Sequence, residues 1–490
     1  MPVRNFFFIV VAFLVCYACY SVAVKNRYAN LFAEAIDIVE NEALHGVPSD
    51  QLFKSAMEGM LEGFDRHSRF ITGDSFKSLN EDLEGEFGGV GIYFEPVAGK
   101  GVLVMAAMPG KPADLAGLQA GDFITAINGT PTADLESRGI RKLMTGRLGE
   151  TIKVSFERDG VSKDTVVQRQ IIATQSVQGL TRLEDGGWDF AVSGHPTLAY
   201  IRLSQFDKVS ASEMLSVLGE LPDSTTGIIL DLRSNGGGLL TAAESICDMF
   251  LEPGLTIVRI KGRKGLSVRE SKSSSEPLIG EHVKLAVLVD RQSASASELV
   301  AGCLQDHDRA VIVGEQSWGK GTVQNVIPMK MGTSALKLTT FSFWRPTGPV
   351  IDRYNKDAIK TGKWGIYPNE GMAVEQDALD MVCMLKRMHF QEIGGLIPED
   401  RREKILSISR DNFLGRINER EELDQEAATS EGENGEVDQD ASPEAEPNAS
   451  TSDRDELPDR KVVPEDLERD SVLEKAIEFL SEVKIEKQAA

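Results

Sequence analysis

Apolar positions in this chain change rhythm several times, and each change marks a segment with its own expected structure. Residues 6 to 24, FFFIVVAFLVCYACYSVAV, carry no charge, with Arg4 before them and Lys25 and Arg27 after. At about 1.5 Å per residue the run is long enough to span a bilayer, so it reads as a signal peptide or a retained signal anchor. Ser21-Val22-Ala23 offers a small-residue cleavage site, whereas the length of the run suits an anchor, and both uses stay in view. Either way the body is expected to be exported, to the periplasm or another extracytoplasmic space, with the membrane as an N-terminal partner.

From Tyr28 to Asp65 the apolar residues Leu31, Phe32, Ala35, Ile36 and Val39, then Leu52, Met57, Met60 and Leu61, recur at helical spacing. This segment, residues 25–80, could serve as an oligomerisation platform, which would make the protein a homo-oligomer. Between Glu81 and Ile172 the texture turns to short apolar runs cut by Gly, Pro and Asp, with PADLAGL and LESRGIRKLM as two helices. That pattern predicts a β-rich module. Beyond Gln175, LAYIRLSQF, TGIILDLR, VKLAVLVD and RAVIVGE alternate with the helical SASEMLSVLGEL, LLTAAESICDMFL and SELVAGCLQDH. Strands interleaved with helices predict an α/β layered domain whose site lies at strand ends.

Residues 377–412 read as helical again. Residues 413–460 are acidic, rich in Ser and Pro, and nearly free of large apolar side chains, which predicts disorder. A last helix from Pro464 to Lys487, within residues 461–490, presents Leu467, Val472, Leu473, Ala476, Ile477 and Leu480 for docking.

Composition narrows the function classes. The net charge of −23 argues against nucleic acid as a partner, because phosphate binding needs clustered Lys and Arg. The five cysteines are scattered, and no CxxC pairs with a second, so neither a zinc ribbon nor a disulfide framework is expected.

Four loops carry candidate chemistry. Ser293-Ala294-Ser295-Ala296-Ser297-Glu298 joins a strand to a helix, and Ser295 with Glu298 fits the S-x-x-E capping box. Ser295 can be a cap, or a nucleophile whose hydroxyl sits at the positive end of a helix with the Ala296 amide beside it. A nucleophile needs a base, and none of the six histidines has a flanking pattern that marks it as one. Lys320, between Gly319 and Gly321, is the alternative: small neighbours let it point inward, and burial would lower its pKa. Gly314 to Lys320 also matches most of a phosphate-binding loop, but Gly321 stands where Ser or Thr would hold magnesium, and VQNVIPM reads as a strand. In DLRSNGGG, residues 231–238, three glycines lead from a buried strand into a helix, a turn suited to phosphate or to an oxyanion. Gly88-Gly89-Val90-Gly91 opens the β module with amides that could grip a terminal carboxylate.

Taken together, these segments resemble the carboxyl-terminal processing peptidases, also called tail-specific proteases, over roughly residues 30 to 375. FDRHSRFI is similar to the family signature ahead of its PDZ domain; GGVGI and PADLAGLQAGDFITAINGT resemble that domain. DLRSNGGG, SASASELVAGCLQD and GEQSWGKGTVQ match its protease signatures in order. The resemblance implies a crotonase/ClpP-like layered α/β protease domain (174–376) with an inserted PDZ domain (81–173) and helical N- and C-terminal segments. It implies a serine endopeptidase with Ser295 as nucleophile, Lys320 as general base and Gln324 orienting that lysine. Ala296 and Gly237 would supply the oxyanion amides and Asp306 would give support. Gly88, Gly89, Val90 and Gly91 would bind substrate tails, and Arg169 would link PDZ occupancy to activity. Partners would be protein C-termini, with no metal and no cofactor. The rival reading is an inactive PDZ scaffold. Departures from the family pattern include His67 and Asn369, which stands in place of an aspartate.

Overall fold

The computed structural model describes residues 10–17, 27–329, 334–431 and 463–488. The chain divides into two compact units, residues 1–76 with 324–340, and residues 77–323 with 341–490. Of the expected signal or anchor, residues 10–17 are helical and the rest lies outside the described residues. No described helix is long and apolar enough to cross a membrane.

In the first unit the helical rhythm resolves into α1 (Arg27–Glu42) and α2 (Ser49–Glu62), parted at Gly46 and Pro48. The short strand β1 (Arg69–Ile71) pairs antiparallel with residues 335–337, Phe70 opposite Leu336. Phe53 stands edge to face between Phe32 and Phe70, with centroid separations of 6.3 and 5.8 Å.

The second unit follows α3 (Gly73–Glu84) with a β-rich module. Its strands are β2 (Glu86–Gly89), β3 (Ile92–Val97), β4 (Gly101–Ala107) and β5 (Phe123–Ile127). Helix α4 (Ser137–Met144) precedes β6 (Thr151–Arg158), β7 (Val161–Gln168) and β8 (Gln170–Ala173). The sheet runs β3-β4-β5-β6-β7, and β2 closes the module on β8. Strand β6 shows the period of two expected of a half-buried strand, with Ile152, Val154 and Phe156 turned inward. Strand β4 breaks that alternation. Val102 and Val104 enter the module's own core, whereas Leu103 and Met105 pack on Ile393, Ile397 and Ile405 from helices later in the chain.

The layered domain is built on β9 (His195–Leu203), α5 (Ser210–Glu220), β10 (Gly227–Asp231), α6 (Leu240–Asp248), β11 (Lys284–Val289), α7 (Ala296–Asp306) and β12 (Ala310–Gly314). The four strands are parallel and adjacent in chain order, the topology expected of strand–helix–strand repeats. One face, with Ile228, Leu230, Leu285 and Val287, meets α6 and α7. The other, with Ile229, Ala286, Leu288 and Val313, is covered by Val472, Ala476 and Leu480 of the final helix, α10 (Ser471–Gln488). Both faces are thus buried, which is why these strands read as unbroken apolar runs. The expected docking of the last helix is observed.

A buried ion pair fixes that helix. The Arg233 guanidinium is held by Asp231, by Asp470 Oδ1 at 2.7 Å and by Asp470 Oδ2 at 3.0 Å. Asp470 also accepts the Leu473 N–H in the first turn of α10. Burial opposes ionisation of Asp470, but Arg233 and Arg387 outweigh it and hold the carboxyl at about 2.

The helical extension comprises two helices, α8 (Ala378–Gly394) and α9 (Glu399–Glu431). The second continues past the expected boundary at Asn412, so residues 413–431 are helical where disorder was expected. Phe413, Leu414 and Ile417 pack against Leu379, Cys383 and Leu467, and beyond them Glu and Ala, both good helix formers, are the commonest residues. Residues 432–462 lie outside the described residues.

Candidate active site

Ser295 occupies the N-cap of α7 with φ 60° and ψ −111°, a backbone region that costs a residue with a Cβ about 1–3 kcal/mol. Such strain persists only where neighbours over-determine it. They do here: the Ser295 N–H donates to Glu298 Oε2 at 2.8 Å, the Ala294 N–H to the Asn235 carbonyl at 3.0 Å, and Ser297 Oγ to that same carbonyl at 2.8 Å. Ala296 is the first helical residue, so its N–H has no intrahelical acceptor. Ser295 is half-buried, within reach of a bound chain.

The turn after β10 lies directly against this cap. A Cβ on Gly237, whose φ is +97°, would fall 2.8 Å from Ser295 Cβ and 2.9 Å from the Ala296 nitrogen. Only glycine lets the two backbones approach so closely. The Gly237 N–H donates to Asn235 Oδ1 at 2.9 Å, so the amide expected to serve an oxyanion is engaged by a side chain in this state. Asp290 locks the turn from beneath, accepting from Ser234 N at 2.9 Å, from Ser234 Oγ at 3.0 Å and from Ser293 Oγ at 3.0 Å.

Lys320 arrives on the loop after β12. Its N–H donates to Glu298 Oε2 at 2.8 Å, the same oxygen that receives the Ser295 N–H. Glu298 Oε1 takes Gly319 N and Ser317 Oγ, both at 2.6 Å, and the Trp318 N–H reaches the Ser293 carbonyl at 3.0 Å. One carboxylate therefore ties the Ser295 cap to the Lys320 loop. Burial raises the Glu298 carboxyl above its ordinary value, and its four donors offset that only in part. Sequence reasoning saw Glu298 as a capping residue and missed this bridge, because the Ser317–Lys320 donors are remote from the S-x-x-E spacing. The glycines around Lys320 are needed for packing: a Cβ on Gly319 would lie 2.4 Å from Trp364 Cδ1, and one on Gly321 2.7 Å from the Asp352 nitrogen. The strand Thr322–Pro328 follows, so the phosphate-loop reading lacks its helix.

The remaining expected residues are placed as follows. Gln324 lies in the first unit, where its side chain donates to Thr339 Oγ1 at 3.3 Å, and Thr339 Oγ1 donates to Asp65 Oδ1 at 3.0 Å. Asp306 closes α7 in an ion pair with Arg345 and accepts the Thr347 N–H at 3.1 Å. Asn369 accepts the Ile312 N–H at 2.9 Å and so pins β12. Arg169 is buried in the β module, donating to the Leu143 and Met144 carbonyls at the end of α4 and to Glu150. Gly88 and Gly89 pair with Ile171 and Gln170, while the Val90 and Gly91 carbonyls accept from Ala113 and Met108. Beside this loop β3 is an edge strand, bonded to β4 alone among the described strands.

Comparison with known proteins finds two family matches. The model of peptidase family S41 matches residues 197–360, and that of the PDZ domain matches residues 88–168. The carboxy-terminal-processing protease of Bartonella bacilliformis is 36% identical over 337 residues, 67% of this chain and 74% of that protein. A relative from Staphylococcus haemolyticus, bearing a CtpA-like serine protease name, is 30% identical; the alignment spans 61% of this chain and 57% of that protein. Among solved structures, the photosystem II D1 C-terminal processing protease is 26% identical, covering 70% of this chain and 92% of that one, with a TM-score of 0.40. The parallel sheet with its PDZ module defines a serine peptidase of the S41 fold. The chain belongs to the carboxy-terminal-processing proteases of that family.

Proposed function

We propose that this protein is an exported serine endopeptidase that uses a Ser295–Lys320 dyad to cleave proteins whose C-terminal tails its PDZ domain captures. The observation that carries the reading is the strained Ser295 cap, joined through Glu298 to the backbone of Lys320. The neutral amine of Lys320 takes the Ser295 proton as Oγ attacks the peptide carbonyl. The Ala296 amide receives the oxyanion, and the Gly237 amide joins it by exchanging Asn235 Oδ1 for the new, charged acceptor. The C–N bond breaks as Lys320 returns the proton to the leaving amine, and water then hydrolyses the acyl-enzyme.

Capture would place a tail carboxylate at Gly88–Gly91 and add the peptide along the edge of β3, where it would compete with Asn412 Nδ2 for the Pro96 carbonyl, now 3.1 Å apart. Arg169, now latched to the end of α4, would report occupancy by leaving that latch. The uncharged run at residues 6–24 is the basis for assigning export and membrane attachment.

The deciding experiment treats the full chain with a fluorophosphonate probe and maps the label by mass spectrometry. Label on Ser295, lost in Lys320→Ala, is the expected result. An unlabelled Ser295 in a folded chain that still binds tails would mean the inactive scaffold.

A further inference from the structure

Away from the Ser295 and Lys320 loops, a cavity of about 620 Å³ opens among the strand Thr181–Arg182, α8, α9 and the turn Pro464–Leu467. Arg182, Arg387, Arg402 and Arg410 all line it. The strand and the α8–α9 connection meet without any spacer, since a Cβ on Gly395 would lie 1.9 Å from the Arg182 carbonyl oxygen. That contact gathers guanidinium groups from three separate elements around one space.

Their charges are met unequally. Arg387 pairs with Asp470 Oδ2 at 3.1 Å. Arg182 rests on Gln175 Oε1 at 2.5 Å and on the Trp188 ring at 4.6 Å, and Arg402 donates to the Ile397 carbonyl at 3.1 Å. Among the described residues, six buried side-chain polar atoms have no hydrogen-bond partner, and three of them are the Nε atoms of Arg182, Arg402 and Arg410. Leaving a buried donor unmet costs about 1–3 kcal/mol, and more when the group is charged. Half of the unmet buried polar atoms among the described residues therefore sit around one cavity, on half-buried guanidinium groups. Two glutamates, Glu184 and Glu468, also line the space, but both are exposed and neither is ion-paired with these guanidinium groups among the described residues. Four guanidinium groups thus line one space, and a cleft lined mainly by one sign of charge favours ligands of the other. Between the arginines the walls are apolar, with Leu183, Phe390 and Leu467.

We propose that this cavity binds a small acidic ligand carrying two or more carboxylate or phosphate groups on an apolar body. Planar guanidinium forks match either group in paired hydrogen bonds. The volume falls within the range of about 300–1,000 Å³ typical of ligand pockets, and a lone phosphate would leave most of it empty. The charged groups would reach Arg182, Arg402 and Arg410, and the apolar body would lie against Phe390 and Leu467. The site stands apart from the peptidase loops, so it is independent of the reading given for them.

Isothermal titration calorimetry on the full chain tests the site, using pyrophosphate, citrate and benzene-1,3,5-tricarboxylate at constant ionic strength with chloride as reference. Saturable binding of at least one probe is expected, weakened tenfold or more in Arg402→Gln and in Arg410→Gln. The aromatic tricarboxylate should outbind citrate if the apolar wall takes part, and pyrophosphate against the carboxylates reads which anion is preferred. Arg410→Lys keeps the charge and loses the fork, so it should fall between wild type and Arg410→Gln; with circular dichroism as a check, it carries the test if a glutamine variant fails to fold. No saturable heat above chloride for any probe, or binding unchanged by the substitutions, overturns the proposal.

Discussion

Two glycine loops in the second unit do opposite things with the same residue. At Gly237 the missing side chain lets one backbone press on another, and buried carboxylates on Glu298 and Asp290 hold the neighbouring segments from several sides. At Gly88–Gly91 the hydrogen bonds are main-chain ones, to Ile171 and Gln170 and from the Gly146, Ala113 and Met108 amides, and the Val90 side chain anchors the loop in the module core. The first arrangement suits catalysis, which gains from donors fixed before the reaction begins. The second suits capture, which needs a strand edge able to accept another strand.

That contrast can be broken most directly at its catalytic end. Ser295→Ala and Lys320→Ala should each lower kcat/KM on a tailed protein substrate by on the order of a thousandfold or more, with the fold intact by circular dichroism. Measurable turnover near wild type in either variant would remove the dyad. Next in size, Glu298→Gln keeps the shape of the bridge but gives up part of its four-donor carboxylate. A fall of about a hundredfold in kcat with KM little changed is expected, since misplacement of a reacting group acts on the chemical step. A change confined to KM would show that Glu298 shapes binding instead.

The Gly88–Gly91 loop should yield a smaller effect of another kind. Gly88→Leu places a Cβ 2.4 Å from the Gly146 carbonyl oxygen and so disrupts β2. About a tenfold loss in kcat/KM is expected on a tailed protein, equivalent to roughly 1.4 kcal/mol, with a lesser fall on a short peptide lacking the tail. Equal losses on both substrates would mean that the PDZ module gates the peptidase rather than delivering to it. The last effect falls on stability and not on activity, and lies in the scaffold beneath. Asp470 titrates near 2 in the folded chain and near 3.9 when unfolded, so its stabilisation is complete above the unfolded value and fades as pH falls toward 2. Asp470→Asn should therefore cost about 2 kcal/mol at neutral pH, with the gap to wild type closing between about pH 4 and 2. Urea midpoints measured across that range would check it.

Much of this site was legible because its residues advertise themselves locally. Ser295 with Glu298 reads as a helix cap, and DLRSNGGG reads as a strand that must turn before a helix. What stayed hidden depends on contacts across the sequence. Neither the Ser317 hydroxyl nor the Lys320 amide signals that it will share Glu298. The engagement of Gly237 by Asn235 is likewise a matter of side-chain orientation. Strand β4 was recognisable as a strand, yet its second apolar face made sense only once Ile393, Ile397 and Ile405 were found behind it. Helix α9 runs past Asn412 because Phe413, Leu414 and Ile417 meet Leu379, Cys383 and Leu467, partners that the local composition does not announce.

The salt link between Arg233 and Asp470 joins residues 237 positions apart. During synthesis the guanidinium beside the glycine turn must wait for the distal aspartate before its charge can be fully matched in the interior. Pairings between such distant residues slow folding, because chain closure comes before the contacts that reward it. The architecture therefore makes the cutting half of the molecule a late product of its own biogenesis, assembled only after the chain behind it has been made.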